Sequence, residues 1–282
     1  MELLLDVIQE TLLDSIKMLP FLFLAYLVIE YVEHRASGKF KNMLVGFGKL
    51  GPAGGAILGC FPQCGFSVAA ANFYAGRIIT IGTLVAVFVS TSDEALPMLL
   101  STPGSAGTIL KLLLVKILIA VVAGFIIDFI FSRKKDSIAP EHLHDLCHDC
   151  GCEHSGILKS ALKHTVSIFL FILLVSFLLN LAITYLGEER LGKLLISGSV
   201  FQPFVAGLVG LIPNCASSVV LTELYLSGTI SFGSVIAGLS TGAGIGLAVL
   251  FRVNHNMKQN FAIVGMLYGI GVVSGLILQL IG

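Results

Sequence analysis

Long apolar runs recur along the 282-residue chain, and they restrict its folding more than any other feature. A helix that crosses the hydrocarbon core of a bilayer needs about 20 apolar residues. Hydrophobic residues make up 56% of the chain and charged residues only 12%, whereas soluble domains carry about 25% charged residues. We therefore expect an all-α integral membrane protein. The predicted spans are Leu12–Tyr31, Ile78–Leu100, Thr108–Phe131, Thr165–Tyr185, Ile230–Leu250 and Phe261–Ile281.

Two further apolar regions, Gly51–Gly76 and Gln202–Ser227, are interrupted near the middle. The interruptions are the triplets Pro62–Cys64 (Pro-Gln-Cys) and Pro213–Cys215 (Pro-Asn-Cys). Proline removes a backbone donor and breaks a helix, so each region predicts a hairpin of two short helices. Non-helical backbone at membrane depth is tolerated only where protein or water covers it. We therefore expect the two breaks to line a shared cavity.

The two triplets lie 151 residues apart, and the same offset relates the rest of the chain. It aligns residues 1–131 with 152–282 without a gap, pairing Pro52 with Pro203 among many others. This pattern indicates an internal duplication with about five helical elements in each half. The predicted domains are a first membrane repeat at 1–131, a His/Cys-rich linker at 132–156 and a second membrane repeat at 157–282.

Positive charge predicts the orientation of the halves. If each hairpin returns to its own side, the segments 34–50, 75–78, 132–164 and 252–260 share one face and hold 12 of the 17 Lys and Arg residues. Cytoplasmic segments carry the excess of Lys and Arg, so we expect the central loop inside and both termini outside. The halves are then inverted-topology repeats, an architecture typical of secondary transporters. The outer-face residues are Lys17, Lys111, Lys116, Arg190 and Lys193.

Sulfur and neutral oxygen ligands cluster at the two breaks. Half-helices beginning near Gly65 and Ala216 would direct their positive N-terminal ends at a bound species. In the alternative interpretation, the prolines are tolerated kinks and the cysteines pack as small apolar residues. The candidate substrate-binding residues at the breaks are Cys60, Pro62, Gln63, Cys64, Ser67, Pro213, Asn214, Cys215, Ser217 and Ser218.

Acidic residues within apolar sequence give a second group of substrate-binding candidates, namely Ser92, Asp93, Glu94 and Glu223. Adjacent carboxylates are costly in a bilayer and usually face a cavity or a partner, so they predict binding of a cation or of a coupling proton. Alternatively, the span ends before these acids and they lie in an outer loop. The equivalent stretch of the second half, Ser240–Gly244, is either unwound or a glycine-rich packing surface.

The linker contains a tract rich in histidine and cysteine. Imidazole and thiolate groups suit borderline and soft cations, so this tract predicts a site for Zn²⁺ or another divalent ion. A cytoplasmic location favours reduced thiols over disulfides. The alternative is a polar linker whose metal affinity is incidental. The candidate metal ligands are His142, His144, Cys147, His148, Cys150, Cys152 and His154.

Taken together, the inverted halves, the paired breaks, the Ser-Thr-Ser-Asp-Glu run and the His/Cys-rich loop resemble the ten-span heavy-metal exporters. These are prokaryotic permeases described as arsenic-efflux or manganese-transporter proteins, and the resemblance covers essentially the whole chain. It implies a multi-pass transporter of the prokaryotic cell membrane that exports a metal or metalloid ion.

The nature of the ion stays open at this point. Three thiols at the breaks would suit arsenite or a thiophilic cation, whereas Asp93 and Glu94 would suit manganese and could carry coupling protons. The alternatives are an oxyanion or small organic-solute permease, a channel, or a membrane metal sensor. The chain has no phosphate-binding glycine loop and no other enzyme constellation, so we do not expect an enzyme. Its charge is balanced without a long basic block, so we do not expect a nucleic-acid partner.

Overall fold

Helices make up most of the structure, a computed structural model. It describes residues 8, 9, 11–13, 15, 16, 19, 20, 22–24, 26, 27, 50–61, 63–92, 95–101, 106–132, 157–186 and 201–281. The described positions between 8 and 27 are helical. The later helices are α1 (Gly51–Gly59), α2 (Cys64–Ala75), α3 (Ile81–Ser90), α4 (Ala95–Ser101), α5 (Ala106–Ser132), α6 (Ile157–Leu186), α7 (Gln202–Gly210), α8 (Cys215–Leu226), α9 (Phe232–Thr241), α10 (Ile245–Val253) and α11 (Met257–Ile281).

Five segments of the described chain are long and apolar enough to cross a membrane. They correspond to five of the six predicted spans, which confirms an all-α integral membrane fold. The sixth, Leu12–Tyr31, lies largely outside the described residues. The five segments are Ile81–Leu100, Gly107–Phe131, Ala161–Leu181, Phe232–Val253 and Met257–Ile281.

The helix boundaries themselves follow the 151-residue offset. Helices α1, α2 and α3 begin and end 151 residues before α7, α8 and α9, and α5 begins 151 residues before α11. The residues that follow the two hairpins also have the same backbone conformation. Arg77 and Gly228 are both left-handed, with φ of 57° and 74°. The duplication predicted from sequence therefore extends to local backbone geometry. The inverted orientation of the halves and the exact domain limits stay predictions.

Equivalent glycines let equivalent helices pack closely. A Cβ atom on Gly59 of α1 would lie 2.5 Å from the carbonyl oxygen of Val87 in α3. A Cβ atom on Gly210 of α7 would likewise meet the backbone of Gly238 in α9. Only glycine tolerates such backbone approach, a device common where helices pack in membranes.

Two of the predicted spans, Ile78–Leu100 and Ile230–Leu250, are interrupted in the structure. Helix α3 ends at Ser90 and α9 ends at Thr241, and in each case non-helical residues follow before the next helix. Hydropathy measures apolar character and cannot detect this unwinding. Within Ser240–Gly244, the first two residues belong to α9 and residues 242–244 are not helical, so the unwound interpretation holds for residues 242–244.

The broken spans form the centre of the protein and the continuous helices its periphery. The segments Ile81–Leu100 and Phe232–Val253 are 81% and 83% buried, whereas the spans in α5, α6 and α11 are only 28%, 17% and 28% buried. The exposed surface of these outer helices is apolar: leucines repeat every four residues on one face of α5 and one face of α6. Such faces suit contact with lipid. These leucines are Leu110, Leu114, Leu118, Leu170, Leu174 and Leu178.

Candidate functional site

The two hairpin breaks place a cysteine at the first position of each returning half-helix. Helix α2 begins at Cys64 and α8 at Cys215, each preceded by an extended N-cap residue, Gln63 or Asn214. The starts lie one residue before those predicted near Gly65 and Ala216. The positive end of each helix dipole is therefore directed at the region of the sulfurs, where it stabilises negative charge.

The two sulfurs are in direct contact. Cys64 Sγ and Cys215 Sγ are 3.2 Å apart, and neither cysteine is in a disulfide. Cys64 is buried and Cys215 is half-buried. Residues 151 apart in the chain thus meet at one point, as expected if equivalent elements cross near a pseudo-two-fold axis.

The third predicted sulfur does not join this pair. The Cys60 thiol donates to the carbonyl oxygen of Ala56 on its own helix, at 3.2 Å. Within the described ranges, no group of three or more His, Cys, Asp or Glu side chains is placed to hold a metal ion. The sulfur site of this conformation is therefore a pair of thiols.

Hydroxyl groups beside the thiols are engaged with the backbone of the same half-helices. Ser67 donates to the carbonyl oxygen of Cys64 at 2.8 Å, and Ser218 donates to that of Cys215 at 2.7 Å. Ser217 donates to the carbonyl oxygen of Asn214 at 2.7 Å. A hydroxyl has one proton to donate, so toward a ligand these serines act as acceptors.

The Asn214 side chain is held by a residue that sequence reasoning missed. Its amide nitrogen donates to the side-chain oxygen of Asn180 on α6, at 2.5 Å. The Asn180 amide in turn donates to Thr11 Oγ1 at 2.9 Å. The available signal was an isolated amide within the apolar span Thr165–Tyr185, because such residues commonly hydrogen-bond across membrane helices.

A second missed residue is Lys116, on α5, which is fully buried. Its Nζ donates to the carbonyl oxygens of Thr91 and Leu239, at 2.9 Å for Leu239. The assignment of Lys116 to the outer membrane face is therefore wrong, because the ammonium lies between helices. The signal was its position near the middle of an apolar run.

The remaining predicted residues differ in environment. Ser92 is buried, and its hydroxyl donates to the carbonyl oxygen of Ser90 at 3.2 Å. Pro213 is half-buried just before the second thiol. Glu223 is exposed on α8, about 12 Å along the helix axis from Cys215. The structure therefore does not bring Glu223 to the thiol pair.

Other predicted residues lie outside the described ones, so their roles stay predictions. These are Pro62, Asp93, Glu94, His142, His144, Cys147, His148, Cys150, Cys152 and His154.

The broken spans pack directly beside the hairpins. A Cβ atom on Gly246, near the start of α10, would lie 2.7 Å from the Cβ atom of Ser67 on α2. Helix α10 belongs to the second half and α2 to the first, so the halves interlock close to the Cys64 half-helix. A shift of the second broken span would reach the Cys64 half-helix through this contact.

Comparison with known protein families identifies a match over most of the chain. Residues 3–185 and 164–282 match the sequence model of a family described as "Putative, 10TM heavy-metal exporter". No curated protein and no solved structure matches the chain.

Proposed function

The chain belongs to this 10TM heavy-metal exporter family, and we propose that it exports a thiophilic metal or metalloid ion held between Cys64 and Cys215. The single observation that carries the proposal is the 3.2 Å contact between the two sulfurs. Soft thiolate ligands select soft and borderline metal ions. Arsenite-like metalloids and cations such as Cd²⁺ are of this kind.

The thiol pair needs only a small movement to accept such an ion. Two sulfurs that bind one tetrahedral ion at about 2.3 Å each lie roughly 3.8 Å apart. The observed contact is shorter than this, so the two sulfurs must separate by about 0.6 Å, through side-chain rotation or a small shift of the half-helices. Movement of the hairpins is what alternating access requires, and binding at their interface would therefore be linked to transport.

The neighbouring groups support a neutral, soft site. The described polar side chains beside the sulfurs include the hydroxyls of Ser67 and Ser217 and the amide of Asn214, and each donates a hydrogen bond within the protein. A hard divalent ion such as Mn²⁺ prefers carboxylate oxygens, and the described exposed carboxylate, Glu223, is remote. A manganese exporter would instead depend on Asp93 and Glu94.

Transport by single-serine variants tests the choice of ion. In proteoliposomes, Cys64→Ser and Cys215→Ser should each lower arsenite and Cd²⁺ transport at least about tenfold, because a hydroxyl is a poor ligand for soft ions. Thr222→Ser, which keeps the hydroxyl on the same half-helix, is the matched control. Cys60→Ser shows whether a third sulfur joins during transport. Full transport of soft ions by the double Cys64/Cys215 variant would exclude the proposal.

The same assay separates the alternatives. Manganese transport that survives in the serine variants and depends on Asp93 and Glu94 indicates a hard-ion exporter. Movement that stops at equal concentrations on both sides indicates a channel, whereas accumulation against a gradient indicates a carrier. A sensor would transport no ion in any of these assays, and deletion of residues 142–154 would abolish the cell's response to added metal. Transport of arsenate or a small organic anion, but not of metals, indicates a solute permease.

A further inference from the structure

The Lys116 side chain brings a basic group into the centre of the membrane region. It lies on α5 about 15 Å from the start of the helix, and it is fully buried. Charged side chains at this depth are expensive, and where they persist they usually serve ion or proton movement. The acceptors described for this ammonium, Thr91 and Leu239, were not assigned above to the thiol site.

The described acceptors of Lys116 come from the two halves of the protein. Thr91 directly follows the last residue of α3, and Leu239 lies in the last turn of α9. Carbonyl groups at helix C-termini lack partners within the helix and carry the negative end of its dipole. The ammonium therefore lies between the C-terminal ends of two helices.

These two helices are equivalent under the 151-residue offset, and each ends where its span unwinds. In transporters with inverted repeats, unwound carbonyls and the C-terminal ends of half-helices coordinate the coupling cation. Here a covalently attached cation occupies that position. The equivalent of Lys116 in the second half is Leu267, so one ammonium serves both helix ends.

We propose that Lys116 is a tethered cation in a coupling-ion position, and that the exporter is driven by exchange of the Lys116 proton and not by Na⁺. The proposal rests on the proposed function as a secondary exporter. In each cycle Nζ releases one H⁺ to one side of the membrane and regains one from the other, and no other bond changes. Loss of the charge weakens its attraction to both helix ends, which frees the halves to move.

The groups around Lys116 determine the pH at which it exchanges its proton. The described residues of α1, α3, α4 and α9 include no ionisable side chain. Cys60 is close enough for an electrostatic interaction with Lys116. Helix α5 also carries Lys111 and Asp128, and α11 carries Lys258 and Tyr268. Asp93 and Glu94 follow Ser92 in the chain but lie outside the described residues.

The variant Lys116→Arg separates proton exchange from a purely structural bridge. Arginine can donate to both carbonyls but stays charged, so Lys116→Arg keeps the bridge and loses the exchange. In proteoliposomes, arsenite accumulation driven by a pH gradient should fall about tenfold or more in Lys116→Arg, while arsenite binding by the detergent-solubilised protein stays unchanged. Wild-type pH dependence in Lys116→Arg, or accumulation in the wild type driven by Na⁺ alone, would overturn the proposal.

A second measurement does not depend on the cargo. Lys116→Ala removes the tethered cation and leaves its carbonyl acceptors, so Na⁺ should raise the melting temperature of this variant relative to choline and should not affect the wild type. If Lys116→Ala does not fold, Lys116→Val with added methylammonium takes its place, because the shorter side chain leaves room for the free cation. No cation response in the folded variant overturns the proposal. If Na⁺ raises the melting temperature of Lys116→Ala but the wild type does not transport arsenite, the proposed cargo is wrong and the proposed role of Lys116 as a tethered cation is supported.

Discussion

Asn214 and Asn180 are joined by a hydrogen bond of 2.5 Å, in which the Asn214 side-chain nitrogen donates to the Asn180 side-chain oxygen. Asn214 is the N-cap of the half-helix that carries Cys215, and Asn180 belongs to the peripheral helix α6. The position of the Cys215 thiol is thereby tied to the peripheral helix α6. An amide pair between helices contributes to position as well as to stability.

Replacement of Asn180 by leucine should destabilise the protein by about 1–3 kcal/mol, because the buried Asn214 amide loses its acceptor. Arsenite transport should also fall, since Cys215 is no longer held in place. Thermal unfolding in detergent measures the first effect and vesicle transport the second. Leu178→Ala, on the exposed face of the same helix, is the control. Effects of Asn180→Leu and Asn214→Leu that simply add would show that the pair is not coupled.

Oxidation should join Cys64 to Cys215 in a single step. A disulfide requires the sulfurs at about 2.05 Å, so a small closing movement from the observed contact suffices. In a variant whose loop cysteines are serine, diamide should accept two electrons and two protons from the pair, and both thiols should lose maleimide labelling together. Mass spectrometry of a Cys64–Cys215 peptide measures this. Joining of Cys60 to either residue instead would contradict the observed geometry.

The sequence was sufficient to predict the part of the site that depends on symmetry. The offset between the two Pro-amide-Cys triplets required Cys64 and Cys215 to lie at equivalent positions, and inverted repeats bring such positions together. The helix starts followed from proline chemistry. These predictions succeed because they depend on local backbone rules and on one global relationship.

The sequence was insufficient where the answer depends on the direction of a side chain. Lys116 has no counterpart in the other half, so the repeat gave no information about it, and hydropathy cannot say whether a lysine reaches the surface. Asn180 was missed for the same reason. The break after Ser90 has no proline within it, so the sequence supported it only as the alternative in which the span ends before the acids at 93 and 94, and the structure decides for an interruption there.

A methyl group added at Gly59 should destabilise the fold by about 1–3 kcal/mol, because it would press against the Val87 carbonyl and the Ser90 side chain. At Gly54 on the same helix, an added Cβ atom would meet nothing within 4 Å. Gly54→Ala should therefore be neutral or should stabilise the helix by up to about 1 kcal/mol. Melting temperatures of the two variants measure the contrast. Equal effects would mean that α1 and α3 are not closely packed.

The His/Cys-rich loop should bind Zn²⁺ and release protons as its thiols ionise. A peptide of residues 141–154 should show an affinity that falls as the pH falls, because protonated thiols and imidazoles are not ligands. Calorimetry in two buffers of different ionisation enthalpy counts the protons released. Serine at Cys147, Cys150 and Cys152 should weaken binding strongly. In the whole protein, deletion of residues 142–154 should leave basal transport intact, and loss of all transport would instead give the loop an essential role.

The orientation of the chain decides which end of the carrier faces the cytoplasm, and the charge distribution predicts it. Without Lys116, which the structure places in the interior, the proposed outer face keeps only four of the Lys and Arg residues against 12 on the inner face. The case for a cytoplasmic central loop is therefore stronger than the sequence count alone indicated. In a cysteine-free background, an impermeant maleimide added to intact cells should label Gly187→Cys and should not label Ser137→Cys until the cells are opened. Labelling of residue 137 from outside would show that the chain has the opposite orientation, with the central loop outside.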